Sequence, residues 1–140
     1  MLTKQTQAHI SEYFEHEPVE VVFFFGSRAS GYPHGESDYD FGVVFSKGLT
    51  TKQRSKKRLT YIGELGKILG VEAVDVVDLE KAPAYLRYAA FASRQDIVCK
   101  NESVRINFEH KAMSNYFDRL PYMRRHSSLS IASIARHGLS

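Results

Sequence analysis

The sequence predicts an α+β protein: a small mixed, mostly antiparallel β-sheet of about four strands, with helices packed against one face. Three observations predict it. Short runs of β-branched and aromatic residues, each bounded by Gly, Pro or polar turn residues, read as strands. Longer stretches with apolar residues three and four apart lie before, between and after them, and read as helices. Helix start and stop residues (Thr50, Pro83 and Gly70 among them) stand where those stretches begin and end.

Taken in order, residues 3–16 place Ala8, Ile10, Tyr13 and Phe14 among polar residues and are followed by Pro18, the pattern of an amphipathic helix with a stop. Val19 to Phe25 is an apolar run ending at Gly26, a buried strand. Ser27 to Gly31 allows one helical turn at most, and Tyr32 to Ser37 has the Gly and Pro content of a turn. Strand character resumes from Asp38 to Phe45. Thr50 or Thr51 then caps a helix reaching about Leu69, with Gly70 beyond its end and Leu59, Ile62, Leu65 and Leu69 as its apolar stripe. Val71 to Leu79 is a third strand, Ala82 to Gln95 a helix, Asp96 to Lys100 a fourth strand, and about Glu102 to Leu120 a last helix. A basic, Ser-rich tail follows and carries no assignment.

The length of 140 residues and the 43% hydrophobic content suit one domain with one packed core, centred on residues 19–120 with a tail over 121–140. No apolar run approaches the roughly 20 residues needed to span a bilayer. The N-terminal residues lack the layout of a secretory signal. Cys99 is the one cysteine, so no intramolecular disulfide forms, which agrees with a cytoplasmic location; its place in a strand predicts a small buried residue rather than a nucleophile. The net charge of +3 and pI near 9.0 are compatible with a polyanionic small molecule or an acidic protein partner, and do not by themselves argue for nucleic acid.

The chemistry is carried by acidic residues. Asp38 and Asp40 are two apart in a strand and so face the same side. Two carboxylates side by side on an otherwise apolar strand repel each other and lose hydration. A divalent cation is the simplest compensation, and hard oxygen ligands at this spacing suit Mg²⁺, whose shell substrate phosphates and water complete. The other half of the site is Phe25-Gly26-Ser27-Arg28-Ala29, a strand running into a tight turn. Gly26 lets a phosphate approach the backbone, Ser27 offers a hydroxyl, and the free N–H groups of the turn point at the anion. Arg28 is placed to add positive charge there, or to face solvent or a partner. A lone Gly-Ser or Asp-x-Asp is ordinarily structural; the ordered conjunction with two strands is what marks a site.

The segment Gly26-Ser27, ten residues, then Asp38-Tyr39-Asp40 resembles the signature of the polymerase-β-like nucleotidyltransferases, and within them the minimal nucleotidyltransferase (MNT) proteins. Val74-Asp75-Val76-Val77-Asp78-Leu79 is similar to the strand on which that family carries a third carboxylate, and Asn115-Tyr116-Phe117-Asp118 looks like a common MNT ending. The likeness is nearest to MntA-type antitoxins encoded beside HEPN-domain toxins. It implies a polymerase-β-like nucleotidyltransferase fold and an antitoxin that transfers AMP from ATP to a toxin tyrosine. It also implies a pair of Mg²⁺ ions held by Asp38, Asp40 and a third acid, and a possible higher-order toxin–antitoxin complex. Strand geometry alone leaves that third acid open: Asp75 and Asp78 point to opposite faces, so only one can join the pair. The resemblance favours Asp75, leaving Asp78 as a turn or capping residue.

Two other readings use the same residues differently. An aminoglycoside-like enzyme would transfer the nucleotide to a small molecule. A non-catalytic module would neutralise its partner by binding alone, which gives no reason to bear the mutual repulsion of three acids. The basic cluster Lys52, Arg54, Lys56, Lys57 and Arg58 reads as a solvated helix face or a docking patch. Arg119 to His126 matches the loose Arg-x₄₋₆-His spacing of HEPN ribonucleases, but such spacings recur by chance and the strands here do not suit a helical bundle. His34 in its turn reads as a surface residue, and the Gly-x₄-Gly-Lys-Ser/Thr pattern of P-loop enzymes is absent.

Overall fold

A computed structural model describes residues 2–25 and 39–126, with side chains described as far as residue 118. The order is α1 (Lys4–Phe14), β1 (Val19–Phe25), β2 (Tyr39–Phe45), α2 (Thr51–Leu69), β3 (Val74–Asp78), α3 (Ala84–Ala92), β4 (Gln95–Cys99) and α4 (Glu102–His126). The sheet runs β3-β2-β1-β4. β1 pairs antiparallel with β2 and β4, and β2 pairs parallel with β3, so the sheet is mixed and mostly antiparallel as the sequence predicts. Parallel pairing of β2 with β3 needs a crossover, which the 19 residues of α2 supply.

Alternation along the strands divides the core into two layers. Val22, Phe24, Phe41, Val43, Val74 and Val76 pack with Ile10 and Phe14 of α1 and Tyr61 and Leu65 of α2. Val21, Phe23, Phe25 and Val44 pack instead with Ala90 of α3 and Phe108 and Ala112 of α4. Helices therefore cover both faces, not the single face expected from sequence. The reason is that β1 is apolar at nearly every position, so each of its faces has to be covered.

The helix signals hold at their starts. Thr3 caps α1, its hydroxyl accepting from the Thr6 N–H at 3.2 Å. Thr50 and Gln53 form a reciprocal capping box on α2, and Gly70 closes it at φ 68°, a left-handed conformation that glycine adopts without a Cβ penalty. The apolar stripe of α2 is another matter. Leu59 is 72% exposed, whereas Tyr61 and Leu65 are fully buried. The inward stripe is Arg54, Arg58, Tyr61, Leu65 and Ile68, spaced four, three, four and three, and its first two members are cations. At its far end α4 continues through Pro121 to His126 instead of stopping near Leu120. Tyr116 holds α4 to α3, its ring stacked on Tyr88 with centroids 4.2 Å apart.

Two positions yield expected outcomes. Gly42 lies in β2 directly under Leu79, where an added Cβ would come within 2.8–2.9 Å of Leu79 Cδ1, Cδ2 and Cγ. Leu79 is itself fully buried, so Gly42→Ala is expected to destabilise the fold by about 1–3 kcal/mol in urea unfolding. Burial, with the Glu17 carboxylate nearby, pushes the Tyr61 hydroxyl well above its ordinary range and Tyr13 up to about 12. Their folded pKa values exceed the unfolded value, so the stabilisation is complete below pH 10 and is lost as pH rises above it. Stability is expected to fall by about 1.4 kcal/mol per pH unit for each tyrosine that ionises only when unfolded. Urea midpoints between pH 9 and 11, compared with Tyr61→Phe, measure the Tyr61 share.

Candidate active site

The acidic half of the site is set by strand register. Phe25, the last residue of β1, lies opposite Asp40 of β2, and Asp40 in turn lies beside Asp75 of β3. The faces follow from the packing of their neighbours. Phe41 and Val43 lie in the layer with α1 and α2, so Asp40 projects to the other side. Val74 and Val76 lie in that same layer, so Asp75 also projects to the side of α3 and α4. Two carboxylates thus stand on one face of adjacent strands, at one register position, with backbones about 5 Å apart.

Asp78 is excluded from this pair by the same alternation, and its surroundings show what it does instead. It is 8% exposed and takes two hydrogen bonds from Arg54 of α2, Nε to Oδ2 at 2.8 Å and Nη2 to Oδ1 at 2.9 Å. Hydrogen bonding to Asp78 raises the Arg54 pKa further, and the guanidinium lies over the Phe45 ring, 5.5 Å from its centroid. Asp78 Oδ1 also accepts from the Glu80 N–H at 3.2 Å, which makes it the turn residue expected from sequence as well. Of the two candidates for the third acid, only Asp75 shares a face with Asp40.

The basic cluster on α2 is not wholly solvated. Arg54 binds Asp78, Lys57 Nζ lies 3.0 Å from Glu17 Oε1, and Arg58 Nε donates to the Val76 carbonyl at 2.7 Å. Only Lys52 and Lys56 of the five are exposed without a described partner. Cys99, at the end of β4, is exposed rather than buried, because its side chain alternates away from buried Val98 toward the start of α4. Its thiol donates to Glu102 Oε1 at 3.3 Å, and partial desolvation with that carboxylate pushes its pKa up, which keeps it a poor nucleophile.

Gly26, Ser27, Arg28, His34 and Asp38 lie outside the described residues. What is described is where the chain leaves and re-enters: Gly26 directly follows Phe25, opposite Asp40, and Asp38 directly precedes Tyr39, the first residue of β2. The described residues that flank that segment, Phe25 and Tyr39, therefore both lie at the Asp40–Asp75 corner. Among the described residues no three His, Cys, Asp or Glu side chains gather as a metal site. Two hard carboxylate donors on one face fit a divalent cation that draws its remaining ligands from elsewhere.

A cavity of about 830 Å³ lies at the other end of the sheet, against Val44, Phe45, Leu79 and Phe108. Asp40 and Phe45 are five residues apart on β2, about 17 Å along a strand, so this cavity is separate from the acidic corner. Its wall mixes Lys47, Arg87 and Lys111 with Glu20 and Glu80, and Glu20 already accepts from the Ser46 hydroxyl.

A family model described as polymerase beta, nucleotidyltransferase, matches residues 8–103. Solved structures similar in fold include several from toxin–antitoxin systems. A crystal structure of a toxin–antitoxin with AMP-PNP is 21% identical with a TM-score of 0.65, over 88% of this chain and 94% of that one. A crystal structure of the toxin–antitoxin MntA–HepT is 19% identical with a TM-score of 0.65, over 88% and 93%. A structure of the tri-AMPylated Shewanella oneidensis HEPN toxin in complex with MNT antitoxin is 19% identical with a TM-score of 0.64, over 89% and 93%. No curated protein matches the chain.

Proposed function

Because the chain belongs to the polymerase beta nucleotidyltransferase family, we propose that it transfers AMP from ATP to a hydroxyl, that of a tyrosine, on a partner HEPN toxin, and so acts as an antitoxin. The observation that carries this reading is the shared face and register of Asp40 and Asp75, with the chain entering and leaving Gly26 to Asp38 at the same corner. The acceptor class is supported by structures similar in fold, among them toxin–antitoxin complexes, one with a tri-AMPylated toxin.

In this reading Asp38, Asp40 and Asp75 would hold Mg²⁺, which when bound supplies Lewis-acid polarisation of the phosphoryl oxygens. The chain's own residues do the rest. Ser27 and the backbone N–H groups after Gly26 bind the β- and γ-phosphates, with Arg28 adding charge. Asp75 accepts the proton of the acceptor hydroxyl. The hydroxyl oxygen bonds to the α-phosphorus in line, the bond from that phosphorus to the bridging oxygen breaks, and pyrophosphate leaves.

Intact-mass analysis of the toxin co-expressed with this chain tests the reading. Toxin increments of one or more AMP are expected, and none with Asp40→Asn. An unmodified toxin that is still neutralised would instead mean inhibition by binding and would overturn the reading.

A further inference from the structure

Arg58 has no part in the site as described so far, yet it reaches the strand that carries Asp75. It follows Arg54 by one helical turn on the inward stripe of α2 and extends to the outer edge of β3, the last strand of the sheet. Its Nε donates to the Val76 carbonyl oxygen at 2.7 Å, and its Nη2 lies 4.0 Å from Asp75 Oδ1. That same Oδ1 accepts from the Val76 N–H at 2.9 Å. Both peptide groups of Val76 are therefore satisfied by side chains at an open sheet edge, the N–H by Asp75 and the carbonyl by Arg58.

We propose that Arg58 is a positioning residue for Asp75. The planar guanidinium is hydrogen-bonded to the Val76 carbonyl and holds its Nη2 at ion-pair distance from Asp75 Oδ1, which keeps that oxygen at the strand edge and reserves Oδ2 for the side of Asp40. The Asp75 side chain is 47% exposed and has no close packing to fix its rotamer, so polar contacts have to do so. Carboxylates that ligate a cation or take up a proton commonly depend on such outer partners, whose loss costs about 10–100-fold in affinity or activity. Lysine has one charged point where arginine has a fork, so it can serve one of the two acceptors but not both.

The inference rests on Asp75 being part of the site, and the experiment separates the two. Mn²⁺ binding to the nucleotide-free protein, followed by electron paramagnetic resonance, is measured for wild type, Arg58→Met, Arg58→Lys and Asp75→Asn, with AMP transfer measured in parallel. Arg58→Met is expected to weaken Mn²⁺ binding and lower kcat by about 10–100-fold while KM for ATP stays near wild type, with partial recovery in Arg58→Lys. The Val76 amide resonance is expected to shift in Arg58→Met as its hydrogen bond to Asp75 loosens. Unchanged Mn²⁺ affinity and kcat in Arg58→Met, alongside an inactive Asp75→Asn, would overturn the role of Arg58 alone. An active Asp75→Asn with undiminished Mn²⁺ binding would overturn the assignment of Asp75 itself. Should Arg58→Met fail to fold, the same comparison on Arg58→Lys decides, because full Mn²⁺ affinity and kcat there would contradict a bridging fork.

Discussion

Asp40→Asn is expected to abolish AMP transfer, lowering the rate by about three orders of magnitude or more, while the far-ultraviolet circular dichroism stays that of wild type. The estimate follows from the several kcal/mol of transition-state charge stabilisation that a carboxylate-held cation supplies, each 1.4 kcal/mol being tenfold. Asp40 stands between Phe25 and Asp75 at the corner where the Gly26 to Asp38 segment begins and ends, so no other described strand residue can take its place. The amide keeps the shape of the side chain and removes its charge. Asp75→Asn is expected to be similarly inactive, whereas Asp78→Asn is expected to retain transfer in whatever fraction of it folds. Transfer by Asp40→Asn at a tenth of the wild-type rate or more would be incompatible with the assigned site.

The largest expected effect on stability lies on the opposite face, at Asp78. Its side chain and that of Arg54 are 9% and 17% exposed, and they are joined by two hydrogen bonds. Asp78→Ala leaves the Arg54 charge between the sheet and α2 with only its longer contact to Glu80 Oε2 at 3.7 Å, and strips the Glu80 N–H of its acceptor. A loss of about 3 kcal/mol is expected, the lower end for breaking a buried ion pair because Arg54 retains some solvent. Against a typical total of about 5–15 kcal/mol this is a large fraction. The double variant Arg54→Met with Asp78→Leu is expected to recover much of the loss, since apolar residues of similar volume often replace a buried pair at little cost. Urea unfolding of wild type, Asp78→Ala and the double variant checks both statements; equal stability of Asp78→Ala and wild type would show the pair to be dispensable.

Much of this was legible from residue types alone. Strand runs, turn residues and the Thr50 and Gly70 caps report local backbone chemistry, and the structure places the elements close to where they predict. The opposition of Asp75 and Asp78 was also legible, because strand alternation is strictly periodic. Which of the two faces Asp40 was not, since register between β2 and β3 depends on packing across a crossover helix. The α2 stripe was misread for a related reason. Leu59 looked like core and Arg54 and Arg58 like surface, yet both arginines are in phase with Tyr61, Leu65 and Ile68, spaced as one helix face requires. That phase, together with two acids waiting on the next strand, was the available signal. Cys99 fails similarly: it ends β4, an edge strand, and a residue there is buried only if the helix cover reaches it, which it does not. The helices on both faces follow from the unbroken apolar run of β1, which the sequence displays openly.

The most direct test of the account uses two labels on one substrate. The chain and its co-purified partner are incubated with Mg²⁺ and ATP carrying ³²P at either the α- or the γ-position, and the partner is then resolved by electrophoresis. Label from the α-phosphate is expected on the partner, with γ-label released entirely as pyrophosphate and neither retained in the Asp40→Asn reaction. Retention of γ-label would mean phosphoryl rather than nucleotidyl transfer, and absence of both labels would remove the catalytic role from Asp40 and Asp75 altogether.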